Sequence, residues 1–284
     1  MSSVIYNSSS RDSVIDLLAP WRILRNLFRH KNLIFQFTRR EVEKRYRGTF
    51  LGLFWAFFTP LLMLCVYTLV FGFIFGGSFG HPGESKTQFA LGLFCGLLIW
   101  ELIGAAASVS PGLVVSNLNY VTKVIFPLEI LPFCMVAAAF VHVCIGFIPL
   151  ILFILITQGG LHPTAFGAIP LLIPILLYCL ALSWMLSALG VFLRDIVSLV
   201  PPCLTVLMFL SAIFFPITAI PHACQWIVKL NPAAILISQA RNAVVFGYSI
   251  DPLCLGIQIL ISAALAIGAY AFFMRCKPAF ADVL

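Results

Sequence analysis

From residue 48 almost to the end of the chain, long apolar runs alternate with short polar ones, and their lengths predict the elements. No Asp, Glu, Lys or Arg occurs from Gly48 to Gly83 (36 residues), Leu102 to Thr122 (21), Ile130 to Leu193 (64), Ile196 to Val228 (33) or Pro252 to Met274 (23). In lipid every backbone N–H and C=O must be paired internally, so a crossing is a helix of about 20 apolar residues. The longest interval holds two crossings, divided by the turn-forming cluster Gln158, Gly159, Gly160, His162 and Pro163. The pattern predicts an all-α membrane protein with six transmembrane helices, at about 51–75, 89–110, 131–156, 169–192, 197–217 and 252–274. A β-barrel would show short alternating stretches instead.

The polar segments carry patterns of their own. Residues 1–16 read as a polar tail. Pro20 suits a first helical position, and after it Leu17, Trp21, Leu24 and Phe28 recur at helical spacing with Arg22, Arg25 and Arg29 on the other side. That is the pattern of an amphipathic helix lying in the membrane interface. Two readings of it stay open: an anchor, or arginines that meet an anionic, phosphate-bearing substrate at the cytoplasmic face. A second basic cluster, Arg39 to Arg47, abuts the first span. The chain thus divides into 1–47, a cytoplasmic tail and interface helix, and 48–284, the six-span domain. Between spans two and three, residues 116–132 predict a short helix stopped by Pro127 that presents polar and aromatic groups, either a docking surface for a cytosolic partner or a resting interface helix. From about Pro216 to Asp251 the chain is amphipathic but too short to cross twice. Pro221 and Asn231-Pro232 break it into two half-length helices, one with Trp226 and Lys229, the other with Ile237, Ala240 and Val244 on one side and Gln239, Arg241 and Asn242 on the other. It reads as a re-entrant helical hairpin capping an outer exit.

Composition agrees with the pattern. Of 284 residues, 62% are hydrophobic and 10% charged, with mean hydropathy +1.07, which excludes a soluble enzyme, a disulfide scaffold and a disordered chain. The first 47 residues hold ten Lys and Arg against four acids, most of the net +7. Positive charge marks the cytoplasmic side. With six spans, both termini fall inside, and 14 basic residues face the cytoplasm against Lys86, Lys229 and Arg241 outside. No cleavable signal peptide is expected, since the first 16 residues have no apolar core. The nine cysteines lack metal-ligand spacing and read as packing residues, leaving open only a Cys224–Cys254 disulfide near the outer face. Neither a metal nor a cofactor is expected in this chain, nor a nucleic-acid partner.

Little catalytic chemistry is present. Gly80-His81-Pro82-Gly83-Glu84-Ser85-Lys86-Thr87 is one residue short of a phosphate-binding loop, holds a proline and has no preceding strand. The chain is therefore expected not to hydrolyse ATP. Ionisable residues within spans are functional hypotheses: Glu101 contacts a water-filled path or packs protonated, and His142 reads as a satisfied core residue. Among the aromatics, Trp55, Tyr67 and Trp100 are the candidates for facing a path. The glycine pairs Gly48/Gly52, Gly72/Gly76 and Gly92/Gly96 allow close helix approach.

Several stretches together resemble the membrane subunit of bacterial ABC exporters for polysaccharides, the group of O-antigen, capsule and teichoic acid exporters. They are Arg45-Tyr46-Arg47-Gly48-Thr49-Phe50-Leu51-Gly52-Leu53-Phe54-Trp55 with Pro60, Val70-Phe71-Gly72, Lys123-Val124-Ile125-Phe126-Pro127-Leu128-Glu129-Ile130-Leu131-Pro132, Arg194-Asp195-Ile196, and Leu230-Asn231-Pro232 followed by Arg241. Glu101 departs from the expected second span. The resemblance implies a homodimer around a central path in the bacterial inner membrane, moving a lipid-linked polysaccharide, O-antigen foremost, and driven by two copies of a cytosolic ATPase that binds ATP and magnesium. It implies an interface helix over 20–38, a coupling helix over 117–127 with Asn119, Tyr120, Lys123, Phe126, Pro127 and Glu129 toward the ATPase, and an outer gate with Trp226, Asn231, Pro232 and Arg241. Substrate head groups would meet Arg22, Arg25, Arg29, Arg45 and Arg47, and the path would hold Trp55, Tyr67, Trp100 and Glu101. An ABC exporter of a drug or small lipid is the nearest alternative. A secondary transporter would need intramembrane charges and repeated broken helices, and a membrane transferase several converging polar groups; the sequence has neither.

Overall fold

The computed structural model describes residues 20–46, 54–122, 126–216, 220–222 and 225–283, and among them every regular element is helical. Two helices, α1 (Pro20–Arg29) and α2 (Lys31–Tyr46), meet at a turn on His30. On α1, Trp21 and Phe28 are exposed while Ile23 is buried and Leu27 packs on the core. The helix therefore turns one apolar edge toward the protein and the other toward its surroundings, as an interface helix does.

Among the described residues five helices are long and apolar enough to cross a membrane: Phe57–Ile74, Lys86–Leu113, Ile130–Gln158, Thr164–Phe192 and Pro252–Val283. The first combines α3 (Phe54–Tyr67) with a π-helical stretch, Thr68–Ile74. The second, α4 (Lys86–Leu113), opens on a capping box between Ser85 and Gln88 and is the central helix. It is apolar on nearly every face, which requires neighbours all round. Those neighbours are α6 (Ile130–Gln158), α7 (Leu172–Phe192) and the outer hairpin. α2 packs directly on α6, and the short α5 (Leu118–Thr122) in the loop before α6 sets Tyr120 against Phe37 of α2.

Small residues set how closely these helices approach. A Cβ on Gly190 of α7 would collide with the Pro111 carbonyl oxygen of α4. Beside that contact the Ser110 and Ser183 hydroxyls are 2.7 Å apart, and Ser187 Oγ donates to the Ser110 carbonyl at 3.0 Å. Of the three glycine pairs, Gly48/Gly52 lies outside the described residues; added Cβ atoms on Gly92 and Gly96 would stand 3.0 Å from Arg241 Cδ and from Ile237 Cγ2, and one on Gly72 3.0 Å from the Lys86 carbonyl oxygen, while Gly76 faces open space.

The stretch expected to cross at 197–217 is helical only over α8 (Ile196–Phe209). Its 14 residues rise about 21 Å at about 1.5 Å each, less than a hydrocarbon core of about 30 Å. The chain then turns through buried Ser211, Ala212 and Ile213, with Ala212 at φ 50°. This break is stabilised from later in the chain. Asn231 Nδ2 donates to the Leu210 carbonyl at 3.2 Å and to Ser211 Oγ at 3.0 Å, and Arg241 Nη1 donates to the Ala212 carbonyl at 3.2 Å. Freed backbone groups at depth are tolerated where protein groups satisfy them. The hairpin that supplies them is α9 (Gln225–Leu230) and α10 (Pro232–Val244), two half-length helices hinged at Asn231, which caps α10 by accepting from the Ala233 amide. The last span is α11 (Pro252–Cys276), capped by Asp251 and packed along α7.

Candidate functional site

Three helix faces line an open cavity of about 980 Å³. On α3 the face is Trp55, Thr59, Met63 and Tyr67; on α4 it is Trp100, Glu101, Gly104, Ala105 and Ser108; on α6 it is Met135, Ala138, Ala139 and His142. Spacings of three and four place each set on one side of its helix. At one end of the cavity stand Glu41 and Lys44 of α2, whose charges lie 3.9 Å apart. All four residues expected on a path, Trp55, Tyr67, Trp100 and Glu101, line this one cavity. His142 joins them: its Nε2 lies 3.1 Å from Glu101 Oε1. It is thus a satisfied residue with Glu101 as a partner, and it stands in the cavity wall.

At one end of the bundle, an aromatic cluster ties α2 to the loop between spans two and three. Phe37 meets Tyr120 edge-on with ring centroids 5.5 Å apart and Phe126 at 5.0 Å, and Tyr120 stacks on Phe126 at 4.8 Å. Arg40 caps the cluster, its guanidinium 4.8 Å over Phe37 and its Nη1 donating to the Tyr120 hydroxyl at 3.0 Å. Asn119 is exposed, Tyr120, Phe126 and Pro127 are half-buried, and Lys123 lies outside the described residues.

Glu129 is different from its neighbours in that loop. With 4% of its surface exposed it faces inward and presents no docking surface to a cytosolic partner. Its carboxylate accepts from Asn26 Nδ2 of α1 at 2.7 Å and from Lys277 Nζ at 2.6 Å, while its backbone carbonyl accepts from Trp184 Nε1 of α7 at 3.0 Å. Asn26 also donates to the Tyr270 hydroxyl of α11. One residue thus joins α1, the start of α6, α7 and the end of the last long helix. Nothing in the sequence pairs positions so far apart.

Of the arginines expected at substrate head groups, Arg25 and Arg29 are exposed on α1, and Arg25 lies 5.4 Å over the Trp21 ring. The side chains of Arg22 and Arg45, and all of Arg47, lie outside the described residues. In the outer hairpin Trp226 is exposed, and Asn231 and Pro232 form the hinge. Arg241 was expected on the side of α10 with Gln239 and Asn242, away from Ile237 and Ala240; it is instead 3% exposed, its guanidinium 3.6 Å over Phe79. The long stem reaches past Gly92, where a side chain would block it. Cys254 is a free thiol and Cys224 lies outside the described residues.

The phosphate-loop-like stretch has a structural explanation. Successive amides of Phe79, Gly80 and His81 do converge as in an anion-binding nest, but their occupant is the chain's own Glu84 carboxylate, which also accepts from Ser78 Oγ at 2.7 Å. Among the described residues no group of His, Cys, Asp and Glu is placed to hold a metal ion.

Residues 32–245 match the model of the ABC-2 type transporter family. The chain belongs to that family. It is also 28% identical over 220 residues, 76% of its length and 82% of the relative's, to the O-antigen export system permease protein RfbA of Myxococcus xanthus. With the O-antigen export system permease protein RfbA of Klebsiella pneumoniae it shares 24% identity over 256 residues, 89% of this chain and 95% of the relative. An ABC-2 transporter chain of this kind is the transmembrane subunit, not the catalytic one, and works with an ABC ATPase subunit. The family match begins at α2 and ends at the last turn of α10, so the cavity, the aromatic loop cluster and the outer hairpin all lie within it, whereas α1 and Lys277 lie beyond it.

Proposed function

We propose that this chain is the membrane subunit of an ATP-driven exporter that carries a lipid-linked polysaccharide, O-antigen foremost, from the cytoplasm across the bacterial inner membrane. The observation that carries the reading is the similarity to two O-antigen export permeases over 76% and 89% of this chain. The cavity supports it: sugar rings have apolar faces that stack on aromatic side chains, and Trp55, Tyr67 and Trp100 offer three such surfaces along it. Stacking contacts that are individually weak let a polymer advance from one to the next. The working unit is a homodimer with two cytosolic ATPase subunits, which bind the ATP and magnesium, and both termini are cytoplasmic. Movement of the ATPase reaches the membrane through Asn119, Tyr120, Lys123, Phe126 and Pro127, since coupling requires contacts that differ between states. Phosphates of the lipid carrier meet Arg22, Arg25 and Arg29, and secondarily Arg45 and Arg47. Trp226, Asn231, Pro232 and Arg241 belong to the outer gate.

The test is surface polysaccharide in cells lacking the chromosomal copies of both this chain and its ATPase. Deletion is expected to trap the lipid-linked glycan on the cytoplasmic side, and export to return when this chain and its ATPase are supplied together but not with either alone. The purified chain is expected to hydrolyse no ATP. Hydrolysis by the chain free of any ATPase, or undiminished surface glycan after deletion, would overturn the reading.

A further inference from the structure

We infer that Lys44 holds the anionic head group of the cargo at the mouth of the cavity, and that Glu41 passes its occupancy to the contact between Arg40 and Tyr120. This rests on the export reading above and deepens it, by naming where the head group sits and how the loop between spans two and three senses it.

Most of the cavity wall is aromatic, aliphatic or small, but at the α2 end its lining includes Lys44 and Glu41. The Lys44 side chain is 76% exposed, and its one ion pair among the described residues, with Glu41 Oε2, is 3.9 Å long. Glu41 is shared: its Oε1 lies 3.7 Å from Arg40 Nη2. Both separations exceed the ordinary hydrogen-bond range, so neither cation holds the carboxylate closely. Exposed pairs of this kind add little stability. Glu43 on the same helix shows the contrast, accepting from Arg39 Nε at 2.7 Å on the usual i, i+4 spacing. A diphosphate carries more charge than a carboxylate and accepts at several oxygens, so it displaces Glu41 from Lys44.

Arg40 gives that exchange a consequence. Its Nη1 donates to the Tyr120 hydroxyl at 3.0 Å and its guanidinium lies 4.8 Å over Phe37, so one cation serves both Glu41 and the aromatic cluster of the loop. With phosphate on Lys44, repulsion turns Glu41 toward Arg40, where it competes with Tyr120 for the guanidinium. The contact at the loop then differs between the loaded and the empty mouth, which is the condition for coupling two sites. The arginines of α1 form a separate place on the same route. Lys44 stands fourteen positions after the turn at His30, about 21 Å along α2 at about 1.5 Å each.

The experiment uses the purified complex of this chain with its ATPase, in vesicles of phosphatidylcholine. ATP hydrolysis is followed while two anionic lipids are added separately: the lipid-linked glycan extracted from the producing cells, and phosphatidylglycerol. The wild-type complex is expected to be stimulated by the glycan-bearing lipid. Lys44→Ala is expected to raise its half-saturating concentration by about tenfold or more, the range for losing a charge-assisted hydrogen bond, and Lys44→Arg to restore it. Glu41→Gln removes competitor and relay at once, so the half-saturating concentration is expected to fall while the maximal stimulation is lost. Tyr120→Phe keeps the ring cluster without the hydroxyl, and is expected to lower the maximal stimulation with the half-saturating concentration little changed. A charge that served only to set topology would show neither split. Membrane level and assembly with the ATPase are checked for each variant, and Lys44→Gln replaces Lys44→Ala if the latter does not assemble. A wild-type half-saturating concentration without the Lys44 charge would overturn the head-group site, and wild-type stimulation in Glu41→Gln or Tyr120→Phe would overturn the relay. A Lys44-dependent response to phosphatidylglycerol as strong as that to the glycan-bearing lipid would overturn the site for cargo, because it would place a bilayer lipid there. A wild-type complex indifferent to the glycan-bearing lipid would overturn the export reading and this inference with it.

Discussion

Burial by itself would raise the Glu129 carboxyl pKa; the Lys277 charge and the hydrogen bonds from Lys277 and Asn26 outweigh it and hold the group below the ordinary carboxylate range. A depressed pKa means stability that is present above the unfolded value, about 4.3 for Glu, and lost as pH falls through the folded value. The thermal midpoint of the wild type is therefore expected to drop on acidification to a degree that Glu129→Gln does not show. The two ends of the pair are not equivalent. Lys277→Met strands a buried carboxylate and is expected to cost about 3–5 kcal/mol. Glu129→Gln leaves an ammonium that is 28% exposed and can turn to water, so the loss is about 1.5–3 kcal/mol, that of a charge-assisted hydrogen bond. Thermal unfolding of the purified variants in detergent ranks them; equal losses would mean that the carboxylate is solvated. The family resemblance put Glu129 with the docking residues, because it stands in the same motif, Lys123 to Pro132. Its partners stand 103 and 148 positions away, and no periodicity links residues at such distances.

At the scale of elements, apolar run length located the long helices well, since a crossing must satisfy its own backbone and the chain has little choice of length. It failed at the end of α8. There the run stays free of charge, but Asn231 and Arg241 offer the backbone an alternative to helix, and only the fold brings them to it. Arg241→Lys is expected to destabilise the outer hairpin although charge is kept, because an ammonium lacks the planar fork that both bonds the Ala212 carbonyl and lies flat on Phe79. Faster proteolysis in the 210–231 region of the variant, in membranes, would report it. The loop between spans two and three was legible as more than a connector, but its partner within the chain was not. Phe37 of α2 completes the aromatic cluster with Tyr120 and Phe126, so Phe126→Ala and Phe37→Ala are each expected to loosen coupling, seen as more ATP hydrolysed per polymer exported. Residues in one cluster are not additive, and the double variant should lose less than the two single losses combined. Strict additivity, or unchanged coupling in Phe126→Ala, would remove the cluster from the coupling path.

For the whole molecule, the uneven distribution of charge is the feature most directly legible from sequence, and it leaves one question that geometry sharpens. Ten basic residues precede the first span, enough to set topology by charge alone. Yet Arg25 and Arg29 stand exposed on a helix whose Trp21 and Phe28 also face outward, and α1 is tied to the transmembrane bundle by Asn26 through Glu129 and Tyr270. A lipid-linked substrate arriving along the membrane surface would meet these arginines first, with its diphosphate at the level of their side chains and its tail in the lipid beside the apolar edge. Guanidinium binds phosphate through a planar fork, ammonium as a point charge. Arg25→Lys with Arg29→Lys is therefore expected to give a partial export defect, and Arg25→Glu with Arg29→Glu to abolish export, in variants whose membrane level and ATPase assembly are normal. An anchor alone predicts that lysine replaces arginine fully, because the positive-inside effect counts charge and not shape. Surface polysaccharide measured in both sets separates the two: full export in each would leave α1 as an anchor, whereas a graded loss that follows the shape of the cation would make it the place where the carrier phosphates are held.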